Sequence, residues 1–171
     1  MWRPDLWLAL IRVAIGAVAL VSAQPKFRLG WLSEAIPYPD IVPTFLVAEA
    51  DRFSELTATT PFPWHRDLLE RAVIPNAALT ATLEAWAELL TGVGLILGLL
   101  TGLAALLGVV LAGDAALAAY VSGTGPQPLH WVMVAAMLAF FGARAGRTWG
   151  LDAVLRRRAS ATGKVLLALV T

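Results

Sequence analysis

The sequence predicts an all-α integral membrane four-helix bundle, and three observations carry that expectation. Apolar residues make up 58% of the 171-residue chain and charged residues 15%, at a mean hydropathy of +0.72. A soluble domain of this length has too little interior to hide so much apolar surface. The apolar residues also gather into four runs, and the basic residues concentrate at the C-terminal end. The whole chain, 1–171, reads as a single membrane domain.

The first run covers 6–23. Arg3, an apolar stretch and Val21-Ser22-Ala23-Gln24 have the outline of a secretory signal, but Arg12 interrupts the apolar core, so the segment reads as a retained span. Residues 24–75 then form a long polar loop with two amphipathic stretches. Pro43 opens one at a first helical position, with Leu46, Ala50, Phe53 and Leu56 along one stripe; Trp64, Leu68 and Ala72 mark the second, which Pro75 closes. Both are expected to lie on the outer membrane surface.

Residues 77–121 are too long for one crossing, because about 20 residues suffice at 1.5 Å per residue. The run therefore doubles back, with Thr101-Gly102 as the expected hinge, giving spans 77–100 and 102–121. A shorter fourth span covers 129–143. The tail carries Arg144, Arg147, Arg156, Arg157, Arg158 and Lys164 against Asp152, whereas the 24–75 loop carries five basic and seven acidic residues. Positive-inside reasoning places both termini in the cytoplasm and the loop outside an inner, cytoplasmic membrane. Trp31, Trp64 and Trp131 then fall near the outer interface, and Trp2, Trp7 and Trp149 near the inner one. Interfacial anchoring accounts for all six.

Charges inside the spans are the chemical signal. Glu84 and Glu88 lie one turn apart on a helix face. With a hinge at Thr101, Glu88 and Asp114 stand level on neighbouring helices, roughly 20 Å from the inner face by helical rise. Arg12 lies about 10 Å inside the first span by the same measure. A charge in lipid is costly unless it is paired, protonated or wetted. Arg12 either snorkels or pairs with one of these acids, with the acids fixing helix register, or the acids line a wet cavity that exchanges protons or holds a polar headgroup. Glu84, Glu88, Asp114 and Arg12 are accordingly the candidate catalytic set.

The chain has no cysteine, which excludes disulfides, thiol redox chemistry and cysteine-held metal centres. Two histidines without a motif give no expected metal site. Lys26, Arg28, Arg52, His65 and Arg66 in the loop suit a tetrahedral oxyanion by charge and hydrogen bonding. Nucleic-acid binding is not indicated. The Arg156–Arg158 run reads as an anchor to anionic lipid, worth about 1 kcal/mol per basic residue near the surface.

Three stretches carry a family resemblance. "LIRVAIGAVALVSAQPKF", "EAWAELLTGVGLILGLLTGLAALLG" and "GARAGRTWGLDAVL" resemble, in order, the first-span, second-span and closing elements of the DoxX/DoxD membrane proteins. The long outer loop and "LGWLSEAIPYPD" are similar to the DoxD type, the small subunit of thiosulfate:quinone oxidoreductase. "AQPKF" departs from the family, which usually has a glycine before the lysine. The resemblance implies a four-helix membrane bundle and carries the family's arginine onto Arg12, its acid onto Glu88 and its exit lysine onto Lys26. It also implies a quinone-linked subunit in the lipid bilayer, with quinone as substrate, no intrinsic cofactor, and a partner membrane or outer-side subunit or a second copy. A quinone needs flat or aliphatic walls and a protonatable group, and on this resemblance Trp86 and Trp131 are the candidates for its walls. The alternative is a non-catalytic accessory subunit within a larger membrane complex, its glycine-rich helix faces and outer helices serving as docking surfaces.

Overall fold

The computed structural model describes residues 4–33, 36–123 and 127–158. Trp2 and Lys164 lie outside them, as does the side chain of Trp31. Helix α1 (Pro4–Ala23) leads through a 3₁₀ turn (Gln24–Lys26) into strands β1 (Phe27–Ser33) and β2 (Ile36–Ile41). Helices α2 (Pro43–Thr59), α3 (Pro63–Leu68), α4 (Ala77–Leu97), α5 (Thr101–Ser122), α6 (Gln127–Ala143) and α7 (Leu151–Arg158) follow.

Helix α1 packs on α4, α4 on α5, and α5 on α6. Their core contains Leu95, Ala104, Ala105, Met137 and Phe140, with Leu8 and Ile15 of α1 against it. Small residues allow the close approach. A Cβ on Gly92 would stand 2.7 Å from the Leu20 side chain, and one on Gly16 3.0 Å from the Gly92 carbonyl. In a bundle whose outer faces meet lipid, such contact is the main source of helix association. By length and composition three helical segments suffice to cross a membrane, Asp5–Lys26, Pro63–Leu97 and Thr101–Ser122; α6 is a shorter apolar helix.

Three expectations are corrected. The loop after α1 is not purely helical: β1 and β2 form an antiparallel hairpin in which Phe27 faces Ile41 and Arg28 faces Asp40. Pro37 and Pro39 argue against a strand buried in a sheet, but each strand here has one partner, so a residue without an N–H is tolerated on the free edge. Pro75 does not close the second amphipathic stretch. It sits at the start of the 3₁₀ turn Ile74–Asn76, where its missing N–H needs no partner, and the chain runs on from α3 through a π-helical turn (Leu69–Val73) into α4.

The hinge is also earlier than Thr101-Gly102. Gly98 ends α4 at φ +61°, Leu100 has φ +47°, and Thr101 already begins α5. The left-handed region suits glycine and strains leucine. The Asp152 carboxylate offsets that strain, accepting the N–H of Leu100 at 2.7 Å and of Thr101 at 3.0 Å. A residue distant in sequence thereby caps the start of α5.

Candidate functional site

Helix α2 folds across the end of the α4–α5 pair, anchored by buried Phe53 and Leu56. At the hairpin base, Val42 N donates to the Lys26 carbonyl at 3.0 Å, fixing both the lysine and the start of α2. Two cations are thus held over the acids of α4 and α5. Lys26 Nζ lies 2.7 Å from Glu88 Oε2 and 3.6 Å from Glu84 Oε1, with the Phe45 ring 5.0 Å away. Arg52 Nη2 lies 3.0 Å from Glu84 Oε2, and Nη1 3.5 Å from Asp114 Oδ2. Its Nε donates to Glu49 of its own helix.

Burial alone would lower the Arg52 pKa. The carboxylates of Glu84, Glu49 and Asp114 more than offset this, and the guanidinium stands above its ordinary value. Two cations face four carboxylates, so the cluster has a formal surplus of two negative charges. Paired this way, the acids of the spans are tolerated.

A cavity opens on either side of the cluster. One, of about 340 Å³, lies between α3, α4 and α5: Leu83, Val110 and Leu117 form apolar wall, Trp64 one flank, and Glu84, Asp114 and His65 the polar edge. His65 is buried, its Nδ1 3.0 Å from Thr60 Oγ1. The other, of about 260 Å³, lies between α1, α4, α5 and α6, with Glu88, Thr91, Ser22 and His130 on its lining.

Of the expected catalytic set, the structure brings Glu84, Glu88 and Asp114 into one network, joined there by Lys26 and Arg52 from the loop cations. Asp114 stands level with Glu84 rather than Glu88, because the earlier hinge leaves Glu84 and Asp114 each fifteen residues from Leu99. Arg12 is elsewhere. It is fully buried at the far end of the bundle, about 15 Å along the helices from Glu88, donating from Nη1 to Ala145 O at 2.8 Å and from Nη2 to Trp149 O at 3.2 Å.

Two of the loop cations, Lys26 and Arg52, converge on the acids, while Arg28 and Arg66 are engaged elsewhere. Arg28 pairs with Asp40 at 2.9 Å, and Arg66 Nη2 donates to Thr60 O at 2.8 Å. Trp86 stacks edge-on against Phe27 with centroids 5.3 Å apart, and Trp131 is largely exposed; neither lines a cavity beside the acids. Trp64, by contrast, lines the larger cavity. Among the described residues, no group of three or more His, Asp or Glu is placed to hold a metal ion.

Sequence reasoning gave no site role to Glu49, Trp64 or Asp152, and read Trp64 as an interfacial anchor. Asp152 had a visible signal, as the one acid in a strongly basic tail. Glu49 had none, being one of several acids on an amphipathic helix.

Residues 51–171 match the family described as "TQO small subunit DoxD". No curated protein and no solved structure matches the chain.

Proposed function

Because the chain belongs to the DoxD family, we propose that it is the membrane subunit of a quinone-linked oxidoreductase of the thiosulfate:quinone type, and that a quinone ring enters the cavity beside Glu84 and Asp114. The observation that carries this reading is the make-up of that cavity. Leucine and valine walls and the Trp64 flank suit a flat apolar ring, while carboxylates and a histidine stand at one edge. Reducing a quinone adds two electrons and two protons, turning both ring carbonyls into hydroxyls. The electrons come from oxidation of a sulfur oxyanion on a partner subunit or at the outer face. The protons, drawn from water, pass through the Glu84, Asp114 and His65 edge.

In this reading α6 is the fourth crossing, both termini are cytoplasmic, and α2, α3 and the hairpin face the outside of the inner membrane. Seventeen residues in α6 span about 25 Å, enough for a thin or locally adjusted bilayer.

The test is photolabelling of the purified complex with an azido-quinone. Label on Trp64, Leu83 or Val110, displaced by excess quinone, supports the site. Label confined to other surfaces, or a preparation that arrives with large partner chains and binds no quinone, favours the accessory role instead. Several of the glycines expected to form docking faces already serve contacts inside the bundle: Gly16 and Gly92 between α1 and α4, and Gly108 against Met137.

A further inference from the structure

We propose that the end of the bundle opposite the carboxylate cluster carries a binding site for a phosphate group, formed by Arg147 and Arg157 above an apolar floor of Leu97, Leu151 and Val154. An open hollow of about 780 Å³ lies there, with Trp149 on its edge and Asp5 the sole acid among its lining residues. Arg147 lies in the 3₁₀ turn Ala145–Arg147 between α6 and α7. Its Nε and Nη2 atoms are buried and meet no acceptor.

The acid nearest in effect, Asp152, already gives both oxygens to the backbone of Leu100 and Thr101. Burial, and then the charges of Arg144 and Arg156, push the Arg147 guanidinium below its ordinary value, with Asp152 opposing only part of this. A guanidinium in that position is suited to an oxyanion. Phosphate supplies one in matching geometry, since the planar fork of arginine donates to two of its oxygens at once.

The floor of the hollow separates two sources of that group. Leu97 ends a membrane-spanning helix, and Leu151 and Val154 are exposed on α7, so an acyl chain attached to the phosphate has an apolar path away from the arginines. Trp149, 73% exposed, stands at the boundary as interfacial tryptophans do. An anionic glycerophospholipid uses both features. Free inorganic phosphate uses only the arginines.

The full-length protein, purified in a neutral detergent, is titrated with phosphatidylglycerol, phosphatidylcholine and inorganic phosphate while its thermal unfolding is followed. Phosphatidylglycerol is expected to bind at least tenfold more tightly than phosphatidylcholine, and Arg147→Gln to weaken it at least tenfold. Arg158→Gln, which removes the same charge from the exposed end of α7, should change it less than twofold. Inorganic phosphate binding with the same Arg147 dependence, and no gain from the lipid, keeps the site and assigns it to the free ion. Equal losses in the Arg147 and Arg158 variants mean diffuse attraction and overturn the proposal, as does binding indifferent to Arg147. If Arg147→Gln does not fold, Arg157→Gln replaces it in the same comparison.

Discussion

Glu84 and Asp114 face each other across the α4–α5 hairpin, and the Arg52 guanidinium joins them at 3.0 Å and 3.5 Å. A helix outside the spans therefore determines whether two acids on the spans are paired. Replacing Arg52 by glutamine should leave Glu84, Asp114 and Glu49 facing one another with Lys26 as the remaining cation. The expected loss is about 1–3 kcal/mol, below that of a fully buried pair because Arg52 keeps some solvent exposure. Thermal unfolding in detergent measures it, and Arg52→Lys should recover part. A melting temperature unchanged in Arg52→Gln would show that α2 does not hold the cluster.

Lys26 and Glu88, 2.7 Å apart, form the shortest contact between the acids of the spans and the loop cations. A double-mutant cycle with Lys26→Met and Glu88→Gln should give a coupling energy of about 0.5–3 kcal/mol, the range for residues in one ion-pair network. Additive losses would mean that the two side chains are held by other partners.

The long elements were legible because lipid imposes a simple rule. A span must be apolar over about 20 residues, so α1, α4 and α5 stand out in hydropathy, and the doubling-back of 77–121 follows from length alone. The same rule singled out Glu84, Glu88 and Asp114 as costly residues in need of partners. Which partners they have was not legible. Arg52 meets Glu84 and Asp114 because α2 packs on α4, a tertiary relation without a periodic signature. Resemblance did better for Lys26 and Glu88, two residues it singled out separately and which prove to be paired. The hinge was misplaced by about three residues because Gly98 competes with Gly102 as a breaker, and the choice was settled by Asp152, fifty residues away in the chain.

Asp152 is expected to be a determinant of stability. Asp152→Ala removes the acceptor for two backbone N–H groups at the start of α5, an end effect worth about 1–2 kcal/mol, and leaves the left-handed Leu100 without support. Asp152→Asn keeps one acceptor oxygen and should lose less. Unfolding midpoints of the two variants check the order, and a reversal would mean that charge rather than hydrogen bonding is what matters there.

At the same corner, Gly98→Ala should be more damaging than an ordinary glycine replacement. The residue sits at φ +61°, and a Cβ would come within 2.5 Å of Arg12 Nη1, the nitrogen that bonds Ala145 O. Strain of about 1–2 kcal/mol from the backbone alone adds to displacement of the buried guanidinium. Ala substitution at Gly113, where an added Cβ has open space and φ is not positive, serves as the control and should be well tolerated. Equal expression and melting of the two variants would contradict the packing of Arg12 against Gly98.

The quinone reading separates the acids by role. Glu84 and Asp114 edge the larger cavity, whereas Glu88 lines the smaller one and is tied to Lys26. Glu84→Gln and Asp114→Asn keep the shape of each side chain while removing its capacity to carry a proton. In the assembled complex, each should lower the rate of quinone reduction by about a hundredfold or more, the usual scale for loss of a positioned acid–base group. Quinone affinity should change little, since the apolar wall is intact. Trp64→Leu should do the opposite, weakening quinone binding while the rate at saturation is kept. Glu88→Gln should act through stability, because it removes the partner of Lys26. If Glu84→Gln and Asp114→Asn both reduce quinone at the wild-type rate, proton delivery runs by another route and the larger cavity is not the reacting site.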